Sequence, residues 1–157
     1  HLNLPFLDSF KEHLVDLYEE NKNSLEEFNP SEGRDYSLAR FRFEDDNINR
    51  YIKNIIGDVE FRIMLYKQHK GHEHSKHVDI GGIKCSLNMI LFDNDNPVVF
   101  YSDDQIHEFK YECALLDVSK PHSVPKSNKD RVFLRIAIKE DYEIVRQKIE
   151  SYCKSRK

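Results

Sequence analysis

The sequence contains no long apolar run. No stretch approaches the roughly 20 consecutive apolar residues that a membrane-spanning helix requires, so we expect no association with a membrane. The first residues, His1 to Pro5, contain neither a basic segment nor a long apolar stretch. No secretory signal peptide is therefore expected at this point of the chain.

Cysteine and glycine are also scarce. The three cysteines, Cys85, Cys113 and Cys153, lie far apart and form no Cys-x-x-Cys pair, which argues against a structural zinc site or a disulfide framework. Free thiols are typical of a reducing compartment, so we expect a cytoplasmic protein. With only 5 Gly, the chain carries neither a phosphate-binding glycine loop nor a glycine-flanked serine nucleophile.

Size and charge limit the number of domains and the kinds of binding partner that we expect. The 157 residues are enough for one domain with a sizeable core, and we expect a single domain over residues 1–157. The net charge of −4 and the pI of about 6.1 argue against nucleic acid as the main partner. A small molecule, a peptide or a protein is the expected substrate, and the oligomeric state stays open.

The spacing of apolar residues changes along the chain. Helical spacing predicts two helices within about residues 5–57, and a polar segment at 21–46 reads as a long connection with one short strand near 38–43. Period-two alternation then predicts a β core over about residues 58–139, and a helix over about 141–153 closes the chain. Closely spaced antiparallel strands indicate a mainly β protein with flanking helices, of jelly-roll or cupin-like type. The predicted strands cover residues 59–65, 83–91, 98–101, 108–111, 113–118 and 131–138.

One ordered set of residues carries the chemistry. His77-Val78-Asp79 is followed by His122 and, nine residues later, by Arg131. Two residues apart in an extended chain, His77 and Asp79 face the same side. Two imidazoles and one carboxylate are the ligand set of non-haem Fe(II) oxygenases, which leaves metal positions open for a co-substrate and O₂. An arginine can then hold the far carboxylate of an oxo acid by a planar two-point contact.

The strand at 131–138 separates two faces. Arg131, Phe133, Arg135 and Ala137 point one way, and aliphatic residues point the other, where they suit packing against helices. Two arginines inside a barrel are costly unless an anion meets them. We expect Arg131 beside the metal as the main anion contact. Arg135, about 13 Å further along the strand, is expected to be a secondary contact or a surface charge.

Four segments carry a resemblance to a known family: H-V-D, K-C-S-L-N-M-I-L, L-D-V-S-K-P-H-S-V and R-V-F-L-R-I-A-I. They resemble the 2-oxoglutarate/Fe(II)-dependent oxygenases, and within these the aspartyl/asparaginyl β-hydroxylase-like branch and its short stand-alone members. The resemblance covers about Val59 to Ile138. One departure is that β-hydroxylases usually carry an arginine on the strand after the first ligand, where this chain offers only Lys84.

The resemblance implies a double-stranded β-helix fold. It also implies Fe(II) held by His77, Asp79 and His122, and 2-oxoglutarate held by Arg131. Members of the family hydroxylate a C–H bond while they convert 2-oxoglutarate to succinate and CO₂. Asn88 falls where members of this branch often carry a polar residue that faces the co-substrate.

Other readings stay open. A cupin-like isomerase or sensor would use the same ligands with another divalent metal and would have no need of Arg131. An inactive binding module is a third reading. Tyr66 and Asn88 either contact the co-substrate or substrate or are structural. The segment 69–76 is expected to be a solvated loop at the barrel mouth, in which His72 and His74 form an alternative ligand pair. The roles of His69, His72 and His74 stay open.

Overall fold

The computed structural model describes residues 5–28, 38–94 and 96–156. The first part of the chain contains, in order, α1 (Pro5–Asn21), β1 (Glu26–Phe28), β2 (Leu38–Arg42), α2 (Asp46–Ile56), β3 (Phe61–Gln68) and β4 (His74–His77). The second part contains β5 (Cys85–Ile90), β6 (Val98–Ser102), β7 (Gln105–Phe109), β8 (Cys113–Leu116), β9 (His122–Val124), β10 (Arg131–Ile138) and α3 (Tyr142–Ser155).

The strands form two antiparallel sheets. The larger sheet has the order β1-β2-β3-β10-β5-β8, and the smaller has the order β4-β9-β6-β7. From β3 to β10 the chain alternates between the sheets except at the β6–β7 hairpin, which lies within the smaller sheet, so non-consecutive strands become neighbours. This arrangement, together with the flanking helices, is the double-stranded β-helix that the sequence indicates.

The two faces of β10 belong to two different cores. Leu134, Ile136 and Ile138 pack with residues of all three helices, including Leu14, Ile52 and Ile149. Phe133 and Ala137 face the other way and pack with residues of both sheets, such as Val98 and Val124. The alternation in the sequence therefore separates a helix-covered face from an interior between the sheets, as predicted.

Local signals fix the second helix. The carboxylate of Asp45 caps α2 by accepting a hydrogen bond from the backbone N–H of Ile48 at 3.0 Å. The helix ends at Gly57, whose φ of 77° suits glycine, and whose N–H donates to the carbonyl of Lys53. Ile48, Ile52, Ile55 and Ile56 form its buried face.

The structure corrects three parts of the sequence reading. The segment 69–76 is not wholly a loop, because β3 extends to Gln68 and β4 begins at His74. His122 begins β9, between the predicted strands 113–118 and 131–138, where no strand was expected. The segment 21–46 contains β1 besides the expected short strand, and its residues 29–37 lie outside the described residues. Strands of three or four polar residues carry too little alternation to be seen in the sequence; their pairing partners define them.

None of the described helices has the length and apolar character needed to cross a membrane. The assignment of residues 1–157 to a single domain stays a prediction.

The core between the larger sheet and the helices generates a stability prediction. Leu134 is fully buried at the centre of β10, so Leu134→Ala leaves a cavity and should lower the free energy of unfolding by about 2 to 5 kcal/mol. Urea denaturation followed by circular dichroism measures the change. Ile106→Ala is the control, because Ile106 is 68% exposed, and its effect should stay below about 1 kcal/mol. Equal effects of the two variants would contradict this account of the core.

Candidate metal centre

Two short strands of the smaller sheet bring the ordered residues together. His77, the last residue of β4, pairs across the sheet with His122, the first residue of β9. The chain then leaves β4, and the backbone N–H of Asp79 donates to the carbonyl of Val118 at 3.0 Å. The Asp79 carboxylate is thereby held over the two imidazoles at one end of the smaller sheet.

The three side chains converge on one point. The Nε2 atoms of His77 and His122 each lie 3.3 Å from Oδ1 of Asp79. One ligand atom from each residue lies within 4.8 Å of the other two, which is the spacing of a group that can hold a metal ion. The three side chains are at most 10% exposed. The residues expected as metal ligands therefore form one compact, nearly buried cluster.

Backbone carbonyls fix the orientation of both imidazoles. Nδ1 of His77 lies 2.6 Å from the carbonyl oxygen of Ser75, and Nδ1 of His122 lies 2.8 Å from that of Lys120. A carbonyl oxygen can only accept, so each Nδ1 carries the proton and donates it. In a neutral ring this leaves the Nε2 lone pair directed at Asp79. Three acceptors that face one another attract a proton or a metal cation, and this donor set fits a divalent metal.

Asp79 is the charged centre of the cluster. Burial alone would raise the pKa of its carboxyl, but the neighbouring imidazoles of His122 and His77, together with the charge of Arg135, outweigh burial and hold the pKa well below its ordinary value. Arg135 donates from Nη2 to Oδ2, the oxygen that does not face the imidazoles. The carboxylate is thus ionised, with one oxygen directed at the imidazoles and the other bound to a guanidinium.

A second polar group lies deeper between the sheets. Arg131 is only 2% exposed, and its Nη2 donates to the hydroxyl of Tyr111 at 2.6 Å. The amide of Asn88 donates to the same hydroxyl at 3.2 Å. A small cavity of about 40 Å³ touches all three residues and also His122 and Arg135.

Several buried polar atoms around this cavity lack a hydrogen-bond partner. They are Nε of Arg131, Oδ1 of Asn88, Oγ of Ser86, Nε2 of His74 and Nε of Arg135. Within the described parts of the chain, Arg131 forms no ion pair. A buried guanidinium without an anion is costly. The chemistry of the cavity therefore suits an acidic, hydrogen-bonding ligand.

Arg135 lies closer to the cluster than the sequence suggested. It binds the Asp79 carboxylate, whereas Arg131 binds Tyr111 in the same small cavity. Both side chains leave β10 on the same face, so the strand runs along the cavity from Arg131 to Arg135. Tyr66 stacks on Phe133 and lies under the Arg135 guanidinium, and so lines the outer side of the site.

The other histidines separate into two groups. His74 is buried and stacks on His77 with 3.9 Å between ring centroids. It does not belong to the group of His77, Asp79 and His122 that could hold a metal ion. Burial, with the neighbouring His77 and His122, lowers the pKa of His74 to about 3, so its ring is neutral. His69 lies at the surface and binds Glu27 at 2.9 Å.

Sequence reasoning missed Tyr111 and the burial of His74. Tyr111 lies between β7 and β8 and belongs to no ligand motif, so no local signal marks it. Its role depends on Arg131 and Asn88, which are 20 and 23 residues away along the chain.

Comparisons with known proteins agree with this architecture. No protein-family model matches the sequence, and no curated protein matches it. A prolyl-4-hydroxylase from Pseudomonas putida is similar in structure, with a TM-score of 0.65, 13% sequence identity, and coverage of 84% of this chain and 87% of the other.

Two further structures share the fold. A prolyl hydroxylase from Trichoplax adhaerens, in complex with a peptide fragment of the hypoxia inducible factor oxygen degradation domain, has a TM-score of 0.61 and 11% identity, with coverage of 87% and 78%. An oxidoreductase of the 2OG-Fe(II) oxygenase family from Burkholderia pseudomallei has a TM-score of 0.51 and 13% identity, with coverage of 80% and 77%. At these identities the comparisons show the fold, the double-stranded β-helix.

The convergent cluster generates a metal-binding prediction. His77→Ala, Asp79→Ala and His122→Ala should each weaken Fe(II) binding by at least about 100-fold, because each removes one of three protein ligands. Anaerobic calorimetric titration measures the affinity, and circular dichroism checks the fold.

The control is His69→Ala, which removes an imidazole from the surface of the protein and should leave Fe(II) affinity unchanged. Wild-type metal affinity in His122→Ala would show that another histidine, such as His74, is the true ligand.

Proposed function

We propose that the protein is an Fe(II)- and 2-oxoglutarate-dependent dioxygenase, a hydroxylase of C–H bonds in an amino-acid side chain, a peptide or a small molecule. The reaction would consume O₂ and 2-oxoglutarate and release succinate, CO₂ and the hydroxylated product. One observation carries the proposal: the His77, Asp79 and His122 cluster and the buried Arg131 border the same cavity. A metal-ligand set and an anion-binding group occur together, as oxo-acid chemistry requires.

His77, Asp79 and His122 would hold the metal. Fe(II), when bound, supplies the activation of O₂, with 2-oxoglutarate as the source of two electrons. The backbone carbonyls of residues 75 and 120 keep both Nε2 atoms available as ligands. Arg135 holds Oδ2 of Asp79 and leaves Oδ1 for the metal. The orientation of the ligands is therefore set by the protein before any metal binds.

Arg131 and Tyr111 would bind the C5 carboxylate of 2-oxoglutarate. Arg131 keeps one unpartnered N–H, and the Tyr111 hydroxyl already receives hydrogen bonds from Arg131 and Asn88, so it is free to donate its own proton to an anion. The cavity of about 40 Å³ has room for a carboxylate group and not for a whole 2-oxoglutarate. The keto-acid end would then extend towards the metal cluster, past Ser86 and Asn88.

The substrate is best supported as a peptide or protein side chain. One structurally similar protein is a prolyl hydroxylase with a bound peptide, and the net charge of −4 disfavours a polyanionic nucleic acid. Membership of the aspartyl/asparaginyl β-hydroxylase-like branch, and a cytoplasmic location, stay predictions from the sequence.

A cupin-like isomerase or sensor is the alternative function. It would use the same three ligands with another divalent metal. It offers no reason for a buried arginine that lines the cavity and has an unpartnered Nε–H. Arg131 therefore favours the oxygenase.

The reaction class can be tested before the substrate is known. Anaerobic addition of Fe(II) and then 2-oxoglutarate should produce a weak visible metal-to-ligand charge-transfer band, because the co-substrate chelates the iron. The control omits 2-oxoglutarate and should show no band. Iron binding without the band would refute the oxygenase and leave the cupin-like reading.

The role of Arg131 can be separated from that of Arg135 by matched substitutions. Arg131→Lys keeps the charge but loses the planar fork, and should raise the apparent Kd for 2-oxoglutarate by about 10- to 100-fold while Fe(II) affinity changes little. Tyr111→Phe should give a smaller change in the same direction, about 3- to 10-fold. Both are measured by titration of the visible band.

Arg135→Lys is the counterpart and should instead alter Fe(II) affinity, because Arg135 binds the Asp79 ligand. If Arg135→Lys weakened 2-oxoglutarate binding and Arg131→Lys did not, the assignment of the carboxylate to Arg131 would be wrong.

A further inference from the structure

A second, larger pocket opens beside the cluster of His77, Asp79 and His122, along the inner face of the larger sheet. We call it the outer pocket. Its volume is about 380 Å³, and His77, Asp79 and Arg135 form its inner end. The rest of its wall comes mainly from β1, β2 and β3, and it includes Arg40, Arg42, Arg62, Glu26 and Tyr66. If the cavity at Arg131 receives the co-substrate, a substrate can reach the metal site through this pocket.

The outer pocket has the opposite charge to the whole protein. Four arginines line it against two carboxylates, those of Glu26 and Asp79. Asp79 is bound to Arg135, and Glu26 lies opposite Arg40 in the β1–β2 pairing. The two remaining arginines, Arg42 and Arg62, form no ion pair with any described residue.

Glu60 lies near Arg62 but binds Lys139 at 2.9 Å. The hydrogen bond with Lys139 is the main cause that lowers the pKa of Glu60, and the charge of Arg62 contributes less. Arg42 and Arg62 are both exposed to solvent. In a protein with a net charge of −4, two free guanidinium groups beside a metal cluster form a local attraction for anions.

The sheet register fixes how far these charges lie from the metal cluster. Arg42 pairs with Met64, and Met64 pairs with Arg135, so Arg42 and Arg135 are two strand widths apart, about 10 Å. Arg62 follows the same face of β3, two residues before Met64. An extended peptide advances about 3.3 Å per residue, so this separation corresponds to about three residues.

We propose that the substrate is an acidic peptide segment, a conclusion that rests on the proposed oxygenase function. Carboxylates of the segment bind Arg42 and Arg62, and the residue to be oxidised lies about three positions away, at the inner end of the pocket. A free amino acid is too short to bind both arginines and reach the metal cluster. Nucleic-acid binding requires many phosphate contacts, whereas this pocket offers two unpaired arginines.

The rim of the pocket suits the same ligand. Val78 and Ile80 are 46% and 73% exposed and both border the outer pocket. They flank the metal ligand Asp79 in the sequence. Apolar side chains of a peptide can cover them, while the arginines recognise its carboxylates.

The test is a binding measurement that needs no turnover. A fluorescein-labelled 12-residue peptide of alternating Glu and Ala is titrated with protein kept anaerobic with Fe(II) and 2-oxoglutarate, and fluorescence anisotropy is recorded. A Gln and Ala peptide is the uncharged comparison. The Glu peptide should bind at least about tenfold more tightly, and its affinity should fall as salt is raised.

Substitutions assign the effect to the pocket. The double variant Arg42→Gln/Arg62→Gln should weaken binding of the Glu peptide about tenfold, the scale of two exposed charge pairs, and should leave the Gln peptide unchanged. Arg50→Gln/Lys53→Gln is the matched control. It removes the same charge from exposed positions on α2 and should change binding less than twofold.

Three outcomes would overturn the inference. Equal affinity for the Glu and Gln peptides, or equal losses in the two double variants, would remove the role of the arginines. Stronger binding of a 12-nucleotide oligothymidylate, lost in Arg42→Gln/Arg62→Gln, would identify nucleic acid instead. Displacement of the peptide by free glutamate at the same concentration would identify a small acid. Failure of the oxygenase proposal is read separately, from the absence of the visible band in the same sample.

Discussion

The buried charge of Asp79 is the constraint on which the site depends. A carboxylate removed from water is stable only when cations and hydrogen-bond donors surround it. Two imidazoles approach one of its oxygens, and Arg135 binds the other. Because the imidazoles present lone pairs when neutral, the point where the three residues meet attracts a proton or a metal cation. The electrostatics of the cluster are thus compatible with a bound metal ion.

Strand β10 links this cluster to the rest of the molecule. Its outer face anchors the larger sheet to the helices through Leu134, Ile136 and Ile138. On its inner face, Arg131 and Arg135 lie at two positions along the space between the sheets. One strand therefore sets the distance between Arg131 and Arg135, which binds Asp79. Packing of the helices against the other face of the strand holds that distance. Sites built on such strands are positioned more precisely than sites built on loops.

The two compartments around the cluster differ in character. The inner cavity is small and rich in polar atoms without partners, which suits one defined co-substrate. The outer pocket is about nine times larger and is lined by arginines, which suits a longer and more variable ligand. Under the proposed function, the metal cluster at their junction is where co-substrate and substrate meet.

Much of this could be read from the sequence, and particular residues show where reading stopped. Alternation predicted β10 with its correct bounds and faces, because each face of that strand packs on a different core. The H-x-D motif and the distant His122 predicted that His77, Asp79 and His122 lie together, because ligand chemistry constrains residue type and local spacing. The strands β4 and β9 were missed, since three or four polar residues show no period of their own and are defined only by pairing with each other.

The sequence alone determined the class of fold, the candidate ligands and the presence of two arginines on one strand face, all of which follow from local spacing and residue chemistry. Only the tertiary structure decided which arginine contacts Asp79 and that Tyr111 lines the inner cavity. It also decided that Arg42 and Arg62 line the outer pocket. These facts depend on the register between strands far apart in the chain, and sheet register is set by packing and pairing partners that no local pattern records.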